Sequence, residues 1–244
     1  MKTGVAFILF ILLAVAANAQ YTDTTQHYLK LLATGSVNRT DETENYLLNN
    51  SARFGLRKKR VGMNTGAAWV YGEQNNILSN NDFNGWADMN WYPHRSKNFY
   101  YWALANYTAS YSLKINSQYQ AGGGVAYSII NRDSLYLNVS DGLLYEYSDL
   151  QLSDTTVEMY NTVRNSFRLW FRFKYRNMIS FDGGSFLQHS LKDGNDYIIR
   201  SSAALDFRLG WGFSLRTSLT YNKFNRTEKE NLLLNYGLIY EKYF

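Results

Sequence analysis

The chain has 244 residues, no cysteine and a single proline, and its 25 Lys/Arg against 20 Asp/Glu leave a formal charge of +5. Without cysteine there is no disulfide, thiolate nucleophile or thiolate metal ligand, and so slight a charge points to no particular partner, nucleic acid included. Aromatic residues make up 17% of the chain, and a Tyr- and Phe-rich chain almost free of proline suits many β-strands.

Residues 1–19 read MKTGVAFILFILLAVAANA. A lysine near the start, an apolar run over Val5–Ala16 and the small-x-small triplet Ala17-Asn18-Ala19 have the pattern of a secretory signal peptide, too short and too small at its exit for a spanning helix. This reading makes 20–244 a single exported domain. No later stretch approaches the ~18 consecutive apolar residues of a transmembrane helix.

From there the hydrophobic period is two almost throughout. Strands are expected near 29–38, 46–57, 61–71, 83–91, 99–112, 118–130, 135–149, 167–176, 178–191, 197–209, 213–221 and 231–240. Short turns are expected at Arg57–Arg60, Pro93–Asn98, Asn131–Ser134, Arg176–Met178 and Gly210–Gly212, and longer loops at Glu73–Asp82, Asp149–Glu158 and Asn222–Asn231. Short turns at one end and long loops at the other are the habit of outer-membrane barrels.

Two segments define the faces. In FYYWALANYTASY, Phe99, Tyr101, Tyr107 and Tyr111 share a parity with Ala103 and Ala105, so rings stand at both ends of one face and alanines in its middle. Tyr101 and Tyr111 are ten residues apart, about 33 Å along a strand, or roughly 25 Å once tilted, the height between the aromatic girdles of a membrane barrel. In FRLWFRFKYR, Phe167, Leu169, Phe171, Phe173 and Tyr175 alternate with Arg168, Trp170, Arg172, Lys174 and Arg176. Aromatics toward lipid and cations toward a wet lumen satisfy both faces. The closing LLLNYGLIYEKYF puts Tyr236 and Tyr240 on the outward parity and ends in Phe244, like the assembly signal of outer-membrane barrels.

TGSVNRTDET at 34–43, GGGVAYSII at 122–130, LKDGNDYIIRSSAAL at 191–205 and the closing LLLNYGLIY occur in the order of, and resemble, the salt-induced outer-membrane protein family, YdiY-like, a domain of unknown function. The resemblance implies an all-β fold, a transmembrane antiparallel up-and-down barrel of about twelve strands in the bacterial outer membrane. It implies no catalytic residues. Leu144 departs from it, standing where a charged lumen residue is more usual.

On parity, a basic ladder of Arg53, Arg57, Arg164, Arg168, Arg172, Lys174, Arg200, Arg208 and Arg216 faces the lumen, with fewer acids: Asp88, Glu146, Asp206 and Glu241. Either these charges pair across strands and plug the barrel, or they bias a water-filled lumen toward small anions. Other chemistry finds little support. His189 and Ser190 are adjacent on a strand and so point to opposite faces, against a hydrolase pair. Asp193-Gly194-Asn195-Asp196 has neither the full spacing nor the flanking helices of a calcium loop, and Gly122-Gly123-Gly124 precedes no helix that would bind phosphate.

The expectation is an outer-membrane barrel without enzymatic activity, metal or cofactor, serving as an envelope-structural element or small-solute pore. Its partners would be outer-membrane lipids, the barrel-assembly machinery and a small anionic solute. The alternatives are a phospholipase-like barrel enzyme and a secreted lipocalin-like binder.

Overall fold

The computed structural model describes residues 27–39, 44–93, 98–153 and 155–244. The leader-like segment 1–19, His94 and part of the 34–43 stretch lie outside them.

Twelve strands follow in order: β1 (His27–Arg39), β2 (Glu44–Lys58), β3 (Val61–Gln74), β4 (Ile77–Trp91), β5 (Phe99–Ser110) and β6 (Ile115–Asn131) form the first half. β7 (Leu135–Gln151), β8 (Val157–Tyr175), β9 (Ile179–Ser190), β10 (Tyr197–Gly210), β11 (Phe213–Phe224) and β12 (Lys229–Tyr243) form the second. Each pairs antiparallel with its neighbours in sequence, and β1 pairs with β12 from Tyr28↔Tyr243 to Gly35↔Tyr236, closing the barrel. The chain ends meet through His27 N–H to the Phe244 carbonyl (2.8 Å) and Phe244 N–H to the His27 carbonyl (3.0 Å). The rim carrying them is the terminal rim; the opposite one is the far rim.

All twelve expected strands are present, but the expected long loops are not. β3 and β4 meet in a two-residue turn whose Asn75 and Asn76 both take positive φ (52° and 62°), the geometry that right-twisted hairpins favour. β7 and β8 are joined by 152–156, and β11 and β12 by a single 3-10 turn, Asn225–Thr227. The polar stretches expected as loops are the ends of long strands. A 12-residue strand such as β5 rises roughly 30 Å at ~40° tilt, enough for the apolar band. The 19 residues of β8 rise roughly 48 Å, so its polar end extends beyond any bilayer.

β5 is also shorter than expected. It stops at Ser110, and Tyr111–Lys114 turns inward over the barrel. Tyr111 therefore sits on the turn and not at the end of a ten-residue run of strand.

Outside, large apolar side chains are exposed around the whole wall, among them Phe54, Trp69, Met89, Val125, Leu143, Leu169, Leu187, Leu215 and Leu234. Water does not tolerate so continuous an apolar surface; hydrocarbon does. Rings join across strands into two outward rows. Phe83, Tyr107 and Tyr119 are linked at 6.1 and 5.0 Å, and nearer the terminal rim Trp91, Tyr101 and Phe99 at 5.4 and 5.2 Å. Phe171 meets Phe181 at 5.2 Å and Tyr240 meets Phe213 at 5.1 Å, while Phe173, Tyr175 and Tyr236 are exposed.

Inside, glycine matters where an indole lies on the wall. A Cβ at Gly142 would come within 2.5 Å of Trp102 Cζ2. Gly142→Val is expected to destabilise the barrel by about 1–3 kcal/mol through overpacking. A fall in the temperature at which the folded band disappears on unheated gels would register this.

Candidate functional site

The inner face is part packed and part open. Close to the far rim its side chains are mostly buried, and below them part of the wall borders a cavity of about 910 Å³.

The far half is filled by an apolar cluster and a charge chain. Leu113, Ile115, Leu150, Ile198 and Phe224 pack together, with Tyr160 against them. Ile198 and Phe224 are the next inward residues beyond Arg200 and Asn222, where the cavity lining ends on β10 and β11. The inward turn after β5 supplies Leu113, and Asp82 on β4 holds that turn. Asp82 accepts hydrogen bonds from Ser110 Oγ (2.8 Å), Ser112 N–H (3.0 Å) and Ser112 Oγ (2.7 Å). From the far wall Asn231 Nδ2 donates to Ser112 Oγ (2.9 Å), a chord between β12 and the turn.

Beside this cluster Arg164 and Glu146, each 0% exposed, pair at 2.7 Å, and Arg164 also reaches Asp196 Oδ1 at 2.7 Å. Tyr160 donates to Glu146 (2.7 Å) and accepts from Arg164 Nη2 (3.0 Å). Arg226 continues the chain, bonding Asp196 (3.2 Å) and Glu158 and lying 4.0 Å over the Tyr160 ring. The order Glu158–Arg226–Asp196–Arg164–Glu146 alternates in sign at every step. Hydrogen bonds to Arg226 hold the Glu158 carboxyl, on the overhanging end of β8, below the usual carboxylate range. Asp196, at the end of the Asp193-Gly194-Asn195-Asp196 stretch, is thus a buried ion-pair partner.

The charges bordering the cavity are treated differently. Arg53, Arg57, Arg132, Arg168, Arg172, Lys174, Arg200 and Arg208 line it. Among the described residues none of the eight has a carboxylate within ion-pair distance. The lining acids are Asp88, Asp133 and Glu241, of which Glu241 faces Lys30 at 3.8 Å. Asp88 accepts from Asn64 (2.7 Å) and Asn90 (3.2 Å) and meets no cation. Arg168 donates to Tyr100 Oη and Asn138 Oδ1 at 3.3 Å each, lies 5.7 Å from the Phe186 ring centroid, and keeps a buried Nε without a partner.

The expected ladder therefore splits. Arg164 and Arg216 lie outside the cavity lining and are neutralised, Arg216 by Asp206 at 2.6 Å and Asp182 at 3.3 Å. Glu146 and Asp206 are their counter-ions and not free lumen acids. Parity puts Trp86, Trp102 and Trp170 on the inner face, but alternation alone does not mark them as lining a polar cavity, because aromatic residues in a barrel most often face lipid. Nor did anything in the local sequence mark Asp82.

His189 and Ser190 point to opposite faces. His189 is exposed with Nε2 2.9 Å from the Gly194 carbonyl, whereas Ser190 is buried and bonded to Thr162 Oγ1 at 2.6 Å. Among the described residues no group of three or more His, Asp or Glu is placed to hold a metal ion.

A closed antiparallel barrel of twelve strands, apolar outside and polar within, is an integral outer-membrane β-barrel. The chain belongs to the family described as Protein of unknown function, DUF481, whose model matches residues 33–241. No curated protein matches it.

Among solved structures, the COG4313 outer membrane channel from Pseudomonas putida F1 is similar at 11% identity and a TM-score of 0.54, over 95% of this chain and 100% of that one. The NanC porin is similar at 10% identity and 0.54, over 88% and 99%. The translocator domain of the autotransporter NalP from Neisseria meningitidis is similar at 12% identity and 0.51, over 89% and 88%. At these identities the likeness is one of fold.

Removing one partner from a buried ion network strands the others. Arg164→Met is expected to cost about 3–5 kcal/mol in urea unfolding from lipid vesicles, and Arg164→Met/Glu146→Leu to cost less than the single change. The Glu158 pair stabilises the far cap fully above about pH 4.3, the ordinary glutamate value. That contribution is lost as pH falls through the lowered folded-state value. Protease nicking near Asn225–Thr227 should therefore rise on acidification, and less so in Glu158→Gln.

Proposed function

We propose that this barrel is a gated, anion-biased pore for small solutes, with its terminal rim in the periplasm and its far end shut in the conformation described. The observation that carries the reading is the division of inner-face charge. Arg164 and Arg216, outside the cavity lining, are neutralised, whereas among the described residues the eight cations that line it have no carboxylate within ion-pair distance. Uncompensated guanidinium and ammonium groups around a wet lumen attract anions and repel cations. The turn that contributes Leu113 to the far plug is held by three Asp82 hydrogen bonds, a small enough element to move aside on the timescale of loop motion. The same reading gives the outward rings outer-membrane lipid as partner, and gives the last strand, ending in Phe244, the barrel-assembly machinery.

Planar-bilayer recordings test it. Asp82→Ala is expected to raise open probability over wild type, and Arg168→Gln/Arg172→Gln to move the chloride-to-potassium permeability ratio toward one. A wild-type ratio near one overturns the anion bias. Silence from both wild type and Asp82→Ala overturns the pore and leaves an envelope-structural barrel.

A further inference from the structure

Three of the residues bordering the cavity are tryptophans, and each indole lies against a glycine one or two strands away. Trp86 covers Gly66, its cross-strand partner, with Cζ2 2.5 Å from where a Cβ would stand. Trp170 covers its partner Gly184, with Cε3 at 2.6 Å. Trp102 pairs with Gly124 and reaches one strand further, over Gly142. Filling the gap above a glycine is a structural use of an aromatic ring. It also sets each indole against the wall of the cavity that all three line.

The cations are interleaved with these plates. Arg53 is the cross-strand partner of Gly66, on the side away from Trp86, so guanidinium and indole flank one glycine. On β8, Trp170 stands between Arg168 and Arg172, all on the inner face. Arg168 retains a buried Nε–H with no acceptor, although a buried donor is normally satisfied.

A simple anion attractor needs charge alone. Flat aromatic faces add affinity for a ring, through the apolar face of a sugar or the π-face of an arene, and guanidinium forks add affinity for a carboxylate. We propose that the cavity is a binding site for anionic, ring-bearing solutes, six-membered-ring carboxylates in the first instance, held between the indoles and the Arg168/Arg172 pair. This rests on the anion reading above and specifies its solute class.

Titration calorimetry on the full barrel, folded in detergent micelles, tests the proposal without requiring conduction. The probes are D-glucuronate and benzoate, two sources of a ring carboxylate, with acetate as charge without ring and D-glucose as ring without charge. Saturable binding of either ring carboxylate, at least about tenfold tighter than acetate or glucose, is expected. Glucuronate alone marks a sugar acid and benzoate alone an aromatic acid; each supports the proposal.

Trp170→Leu and, separately, Trp102→Leu should weaken ring-carboxylate binding by about tenfold, one stacking platform's worth, without changing acetate. Heat-modifiable migration identifies which variants have folded, and Arg168→Gln/Arg172→Gln provides an arm in which no indole is touched. Acetate binding as tightly as both ring carboxylates, or no binding of either, overturns the proposal. A barrel that binds ring carboxylates but never conducts removes the pore and keeps this site. One that conducts anions with no ring preference does the reverse.

Discussion

Hydrocarbon offers a peptide group no hydrogen-bond partner, so every lipid-facing strand must be answered by another strand on both sides. The pairing of β1 with β12 is where this chain meets that demand. Once the ring is closed, the period of two divides every strand into a lipid side and a lumen side with no residue left neutral. The outward leucines and rings, the inward asparagines and arginines, and the even strand count that returns both ends to one rim all follow from closure.

Within the lumen the same chemical group is used in two ways. Arg164 is taken wholly out of water, which is tolerable only because Glu146, Asp196 and Tyr160 answer it. Arg172, eight residues along the same strand, stays exposed beside open cavity. Ion pairing and access to the cavity, and not residue type, separate a structural guanidinium from one available to a solute. Plug and wet lumen coexist in one barrel.

The strands were legible because alternation persists over 12 to 19 residues, long enough to stand above chance. Their far ends were not, since a polar strand standing clear of the membrane and a polar loop have the same composition; Asn75-Asn76, the actual turn, sits inside such a stretch. Parity placed Arg164 and Glu146 on inner faces but not together, because pairing depends on strand register, which hydropathy does not encode. The inward turn at Tyr111–Lys114 was hidden for a similar reason. Its anchor, Asp82, lies a whole strand earlier in the chain. Trp170 was visible among the arginines in FRLWFRFKYR, but the glycine beneath it belongs to β9.

On the proposed reading, with the far end shut and the terminal rim in the periplasm, the cavity opens to one side only. A vessel stoppered at the surface of the cell exchanges only with the compartment below it. While the stopper holds, its contents track what the cell has already admitted or released, and external concentration is felt only at second hand. In that state the molecule behaves less as a doorway than as a cup dipped into the periplasm.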